Sequence, residues 1–178
     1  MEVIVSKEIE TVCPEFVGAA LEAKVVNSTY NEGLWQDIHA LGDKYKTELT
    51  TESLKDISGI AATRRVYRAC GKDPSRYRPA SEALIRRVLQ GKSLYQIDTL
   101  VDMINLEGLP VYRDAKGGVG TPTSDNERTK IGIGTWHLFV LINGYDGNEE
   151  NVRANAAFIQ ELLKKYCSSD GGSYKLYR

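Results

Sequence analysis

The side chains with chemical reach in this 178-residue chain gather in two places. The first is residues 64–92, where Arg64, Arg65, Arg68, Lys72, Arg76, Arg78, Arg86, Arg87 and Lys92 face only Asp73 and Glu82. That segment carries +7, so the remainder of a chain of net charge −1 carries −8. A basic patch on an acidic body draws a polyanion to one surface and repels it from the others. Arginine outnumbers lysine there by seven to two, and the planar guanidinium is the better bidentate partner for phosphate. Tyr67, Tyr77 and Tyr95 lie among the bases, where their rings could stack on nucleobases. Solubility alone also places bases on surface helices. The arginine bias and the interleaved tyrosines favour an anionic partner.

The second place is Thr135-Trp136-His137, at the start of an apolar run. In a strand, residues two apart face the same side, so a hydroxyl and an imidazole would line one wall. A lone strand histidine is more often structural than catalytic, and the pair alone names no reaction. Stronger motifs are missing. Gly117-Gly118-Val119-Gly120-Thr121 is neither a dinucleotide fingerprint nor a Walker loop, and reads as a tight turn between strands. No G-x-S-x-G elbow is present, which disfavours a serine hydrolase. Cys13, Cys70 and Cys167 form no C-x-x-C pair, and only His39 and His137 could join them. No metal site and no cofactor are expected. Reduced structural thiols in a cytoplasmic protein are the simpler reading.

Which elements would carry these residues? The valines and small residues at 3–5 and 16–26 suggest two strands. Leu34, Ile38, Leu41 and Tyr45 recur at helical spacing and predict a helix over 32–46. Thr50 or Thr51 can cap a short helix through Ile57. The basic segment divides into a helix over 60–70, stopped by Gly71 and Pro74, and one running from Pro79 to Gly91. Leu84, Ile85, Val88 and Leu89 form the expected buried stripe of the latter, leaving Arg86 and Arg87 largely towards solvent. Ile97, Leu100, Val101 and Ile104 predict a further buried helix. Residues 116–125 are turn-forming, 130–134 and 135–142 resemble paired strands, and a last helix covers 149–166.

Strands, several helices, strands and a helix, in that order, predict an α+β fold with a mixed or antiparallel sheet, and one domain spanning 1–178. The 42% apolar and 26% charged residues are those of a globular protein. The longest apolar stretch is too short to span a bilayer, and the acidic start does not resemble an export signal. A cytoplasmic protein with no membrane partner is expected.

Residues 58–110 resemble the B3/B4 domain of the phenylalanine-tRNA synthetase β subunit, and more closely the free-standing proteins of that family. The likeness is carried by Ile60-Ala61-Ala62-Thr63-Arg64-Arg65-Val66-Tyr67-Arg68, Gly71-Lys72-Asp73-Pro74-Ser75-Arg76-Tyr77 and Pro79-Ala80-Ser81-Glu82-Ala83-Leu84-Ile85-Arg86-Arg87. Val101-Asp102-Met103-Ile104-Asn105 is similar to the family's VDxxN segment. The run from Gly120 to Ile131, with Thr135, resembles its late strand motif.

In the synthetase this domain hydrolyses the ester of tRNA wrongly charged with tyrosine. The resemblance implies a similar pocket formed by Asn105, Thr135 and His137. Thr135 would hold water or the amino acid, and Asn105 would orient the ester or ribose. Glu107 and Tyr112 would contact the substrate, Glu107 through its α-amino group. Arg64, Arg65, Arg68, Arg76, Arg78, Arg86 and Arg87 would hold the tRNA. An aminoacyl ester is already activated, so positioning and oxyanion donors can supply much of the rate without a covalent nucleophile. Pro110-Val111-Tyr112 stands where the family carries Pro-Leu-His.

Three functions therefore remain open: a trans-acting aminoacyl-tRNA deacylase, a non-catalytic RNA-binding module, and a small-molecule or amino-acid binding protein on the same fold. No aminoacylation domain is expected, and the oligomeric state is undecided.

Overall fold

The computed structural model describes residues 3–76, 78–104, 112–121 and 124–178. In chain order these give α1 (Lys7–Val12), β1 (Val17–Lys24), α2 (Glu32–Glu48), α3 (Ser58–Ala69), α4 (Ala80–Leu89) and α5 (Thr99–Ile104). There follow β2 (Tyr112–Asp114), β3 (Gly117–Thr121), β4 (Ser124–Asp125), β5 (His137–Gly144), α6 (Glu149–Tyr166) and β6 (Ser173–Tyr177). The fold is α+β, and its described strands form two three-stranded antiparallel sheets, β5-β1-β6 and β2-β3-β4.

Alternation makes the larger sheet. Val17, Ala19, Leu21 and Ala23 of β1 pair across from Gly144, Ile142, Val140 and Leu138 of β5, all on one face. That face is covered by Val152, Ala156, Ile159 and Leu163 of α6, which recur at helical spacing, with Leu34 and Trp35 of α2 and Leu100 and Met103 of α5. Burying each large aliphatic of this core contributes about 1.5–3 kcal/mol. Asn148 caps α6 by accepting from Asn151 N, and Asn31 caps α2 by accepting from Leu34 N. A second cluster, Val5, Cys13, Phe16, Ala62, Val66 and Tyr145, seats α3 against the start of β1.

Several sequence expectations change. Residues 3–5 form no strand; Val5 is buried in the second cluster ahead of α1. Gly117–Thr121 is strand β3 rather than a turn, and the turn falls at Ala115 and Lys116. Residues 130–134 are not a strand: Thr135 N donates to Gly132 O at 2.9 Å and closes a turn. The partner of β5 is β1. The C-terminal residues supply β6, whose approach needs Gly172 in the left-handed region at φ 65, with Glu22 O only 2.0 Å from where a Cβ would sit. Between α2 and α3, the expected helix is a short 3-10 turn, Ser53–Asp56, with Thr50 Oγ1 accepting from Ser53 N. Ile97 lies outside α5 and is exposed. Among the described residues, no helix is long and apolar enough to cross a membrane.

Candidate nucleic-acid interface

Helices α3 and α4 bring the basic segment together, and a buried carboxylate decides how. Both helices end where the sequence places a glycine, Gly71 at φ 71 and Gly91 at φ 72. Glu82, in the first turn of α4, is fully buried. Arg64 Nη1 of α3 donates to both of its oxygens, at 3.1 and 2.9 Å, and Arg86 Nε donates to Oε1 at 2.9 Å. Arg64 also reaches the carbonyl oxygen of Pro74 at 3.4 Å. Glu82 thus ties α3 to α4, and Arg64 extends the tie to the connecting loop. A carboxylate in a helix's first turn is favoured further by the unpaired N–H groups there.

This arrangement sorts the arginines. Arg64 and Arg86 direct their donors inward at Glu82, with side chains only 14% and 26% exposed. Arg65 pairs with Glu15 and donates to Tyr145 O at 3.0 Å, fastening α3 to the sheet. Arg68 lies one turn beyond Arg64 on the same row of α3, and it is exposed, as are Arg76 and Arg78 in the approach to α4. Arg87 Nε donates to Ser93 O at 2.6 Å, and its guanidinium carbon lies 4.2 Å over the Tyr95 ring. Lys92 is exposed beside them. Of the three tyrosines, Tyr95 is exposed, whereas Tyr67 is half-buried and burial pushes its hydroxyl pKa up. Tyr77 lies outside the described residues.

The expected buried stripe of α4 is only half-buried. Leu84, Ile85 and Val88 face Ile38, Leu41 and Tyr45 of α2 across an apolar cleft of about 40 Å³.

Of the residues expected to line a hydrolytic pocket, the structure describes Thr135 and His137. Thr135 lies in the turn before β5, and its Oγ1 accepts from Gly132 N at 3.0 Å. His137, the first residue of β5, is exposed and stands opposite Lys24. Its ring lies 5.6 Å from that of Trp136, itself 69% exposed. Asn105 and Glu107 lie outside the described residues. Tyr112 opens β2, but the structure describes only its backbone.

Two buried polar residues organise this region; the sequence reading assigns Asn27 no role and includes Asp102 only as part of the segment 101–105. Asn27 is buried; its Oδ1 accepts from Ser28 N and Leu100 N, and its Nδ2 donates to Gly132 O at 3.0 Å. It thereby joins the end of β1, helix α5 and the Thr135 turn. Asp102 is also buried, accepting from Trp35 Nε1 at 3.0 Å and from Ile97 N at 2.9 Å. Its burial raises its pKa against the opposing effect of those two hydrogen bonds. No family model, curated protein or solved structure matches this chain.

Proposed function

We propose that this chain binds RNA, with aminoacyl-tRNA as its partner, through the surface formed by α3, α4 and the loop between them. The observation that carries this reading is the sealing of Glu82 by Arg64 and Arg86. Of the two acids in the basic segment, only Asp73 then remains at the surface, among Arg68, Arg76, Arg78, Arg87 and Lys92. Exposed arginines on and beside a helix pair tied together by Glu82 suit phosphate oxygens. The resemblance of residues 58–110 to the B3/B4 domain supports tRNA as the particular RNA.

Hydrolysis of the ester of misacylated tRNA is the second reading, supported by Thr135 and His137 near one another at the start of β5. The Thr135 oxygen accepts a backbone hydrogen bond, which orients the hydroxyl and leaves its proton to donate to a substrate or water. Deacylation of a panel of mischarged tRNAs, including Tyr-tRNA(Phe), tests it with wild type, Thr135→Ala and His137→Ala. Hydrolysis above the uncatalysed rate, lost in either variant, supports the enzyme; its absence across the panel sinks that reading. Salt titration of tRNA binding tests the interface separately. The double substitution Arg68→Ala with Arg78→Ala should weaken binding and flatten the slope of log K against log salt by about 2. Unchanged affinity and slope would refute the assignment of the surface.

A further inference from the structure

We propose that Tyr95, held beneath Arg87, is a stacking subsite for an unpaired nucleobase, an inference that rests on the RNA-binding reading but adds a preference which phosphate contacts cannot supply. The guanidinium of Arg87 is fixed from two sides: Nε donates to Ser93 O at 2.6 Å, and the group lies 4.2 Å over the Tyr95 ring. Yet Tyr95 is 63% exposed. The guanidinium covers one face of the ring, and so large an exposure leaves other ring surface open to a ligand. Ile97, two residues on, is 60% exposed, and Lys92 is exposed three residues before. The segment between Lys92 and Asp98 contains neither helix nor strand, and it presents these side chains from an irregular backbone.

The chemistry of the pair selects the occupant. A cation over one face of an aromatic ring draws on its electron density, so the far face offers a better surface to an electron-rich planar base. Arg87 and Lys92 supply positive charge for the phosphates on either side of that base. Because the hydrogen bond to Ser93 already orders Arg87, binding orders less of the site than it would for a free side chain. A paired base offers no free face. The subsite therefore takes single strands, loops or an unpaired terminus, whereas Arg68 and Arg78 can meet the phosphates of any RNA.

Fluorescence anisotropy with an end-labelled oligoadenylate and a blunt RNA duplex of the same strand length tests this. Tyr95→Ala should weaken oligoadenylate binding about tenfold while changing duplex affinity by no more than about twofold. Tyr95→Phe, which keeps the ring, should behave as wild type. Equal losses on both probes, or an unchanged oligoadenylate affinity with duplex binding intact, would overturn the stacking subsite and leave the basic face standing. Failure of the wild type to bind either RNA would overturn both.

Discussion

Glu82 offers the sharpest test of how this surface is built. Glu82→Gln keeps the side chain's shape but removes the charge that Arg64 and Arg86 share, and it turns an amide N–H₂ towards at least one guanidinium. Breaking a buried ion pair by removing one partner costs about 3–5 kcal/mol, because the remaining charge stays desolvated. Arg64 and Arg86 retain 14% and 26% exposure, so water reaches an edge of each. We therefore take the lower end, about 3 kcal/mol, still a large share of the roughly 5–15 kcal/mol that holds a domain folded. At a urea dependence of about 2 kcal/mol per molar, the unfolding midpoint should fall by about 1.5 M. Trp35, buried against Asp102, supplies the fluorescence signal. A midpoint within about 0.3 M of wild type would refute the reasoning, since it corresponds to only about 0.6 kcal/mol, a fifth of the expected loss. Replacing all three residues together (Arg64→Met, Glu82→Leu and Arg86→Met) should recover most of the loss, because no charge is then left orphaned.

The remaining expectations concern the core. Asp102 has its pKa raised by burial, so its charged form is disfavoured in the folded chain. Its contribution is fully present below the unfolded value, about pH 3.9, and is lost as pH rises through the folded one. The penalty of Asp102→Asn in urea melts should thus be largest near that pH and shrink towards neutrality. A penalty that grows with pH would mean that the hydrogen bonds from Trp35 and Ile97 outweigh desolvation. The thiols should separate equally cleanly. Cys70 is exposed, whereas Cys13 and Cys167 are buried, and burial pushes Cys167 up to about 11. Ellman's reagent should find one fast thiol per native chain and three after denaturation; two fast native thiols would contradict this packing.

What the sequence revealed was local. Leu34 and Ile38, or Val152, Ala156, Ile159 and Leu163, mark their own helices because the buried face recurs every three or four residues. Strands β1 and β5 were legible as short runs of valine, alanine and larger aliphatics, but not as partners of each other. The misses were long-range. Strand β6 is short and follows two glycines, and it exists because β1, some 150 residues earlier, offers it an edge. Asn27 gains its importance from Leu100 and Gly132, neither of them near in sequence. The basic segment shows both cases at once: the spacing of Glu82 and Arg86 is that of a helical ion pair, but the approach of Arg64 to Glu82 depends on how the intervening loop folds. The start of β5 depends on a similar local detail, since Thr135 closes a turn with Gly132 and the strand begins two residues later, at His137.

The same sorting of arginines alters what the sequence charge means for binding. Counting nine bases as phosphate contacts gives a salt slope near −8 on duplex RNA, at about 0.9 per neutralised phosphate. Arg64 and Arg86 are directed at Glu82, and Arg65 at Glu15 and Tyr145. Setting those three aside lowers the count to at most six, and the ceiling of the slope to near −5. A measured slope close to the larger figure would require the Glu82 clamp to open when RNA binds, exposing a carboxylate beside the phosphates it would repel. A slope at or below the smaller one fits a clamp that stays closed, in which the inner arginines fix the geometry and the outer ones meet the ligand.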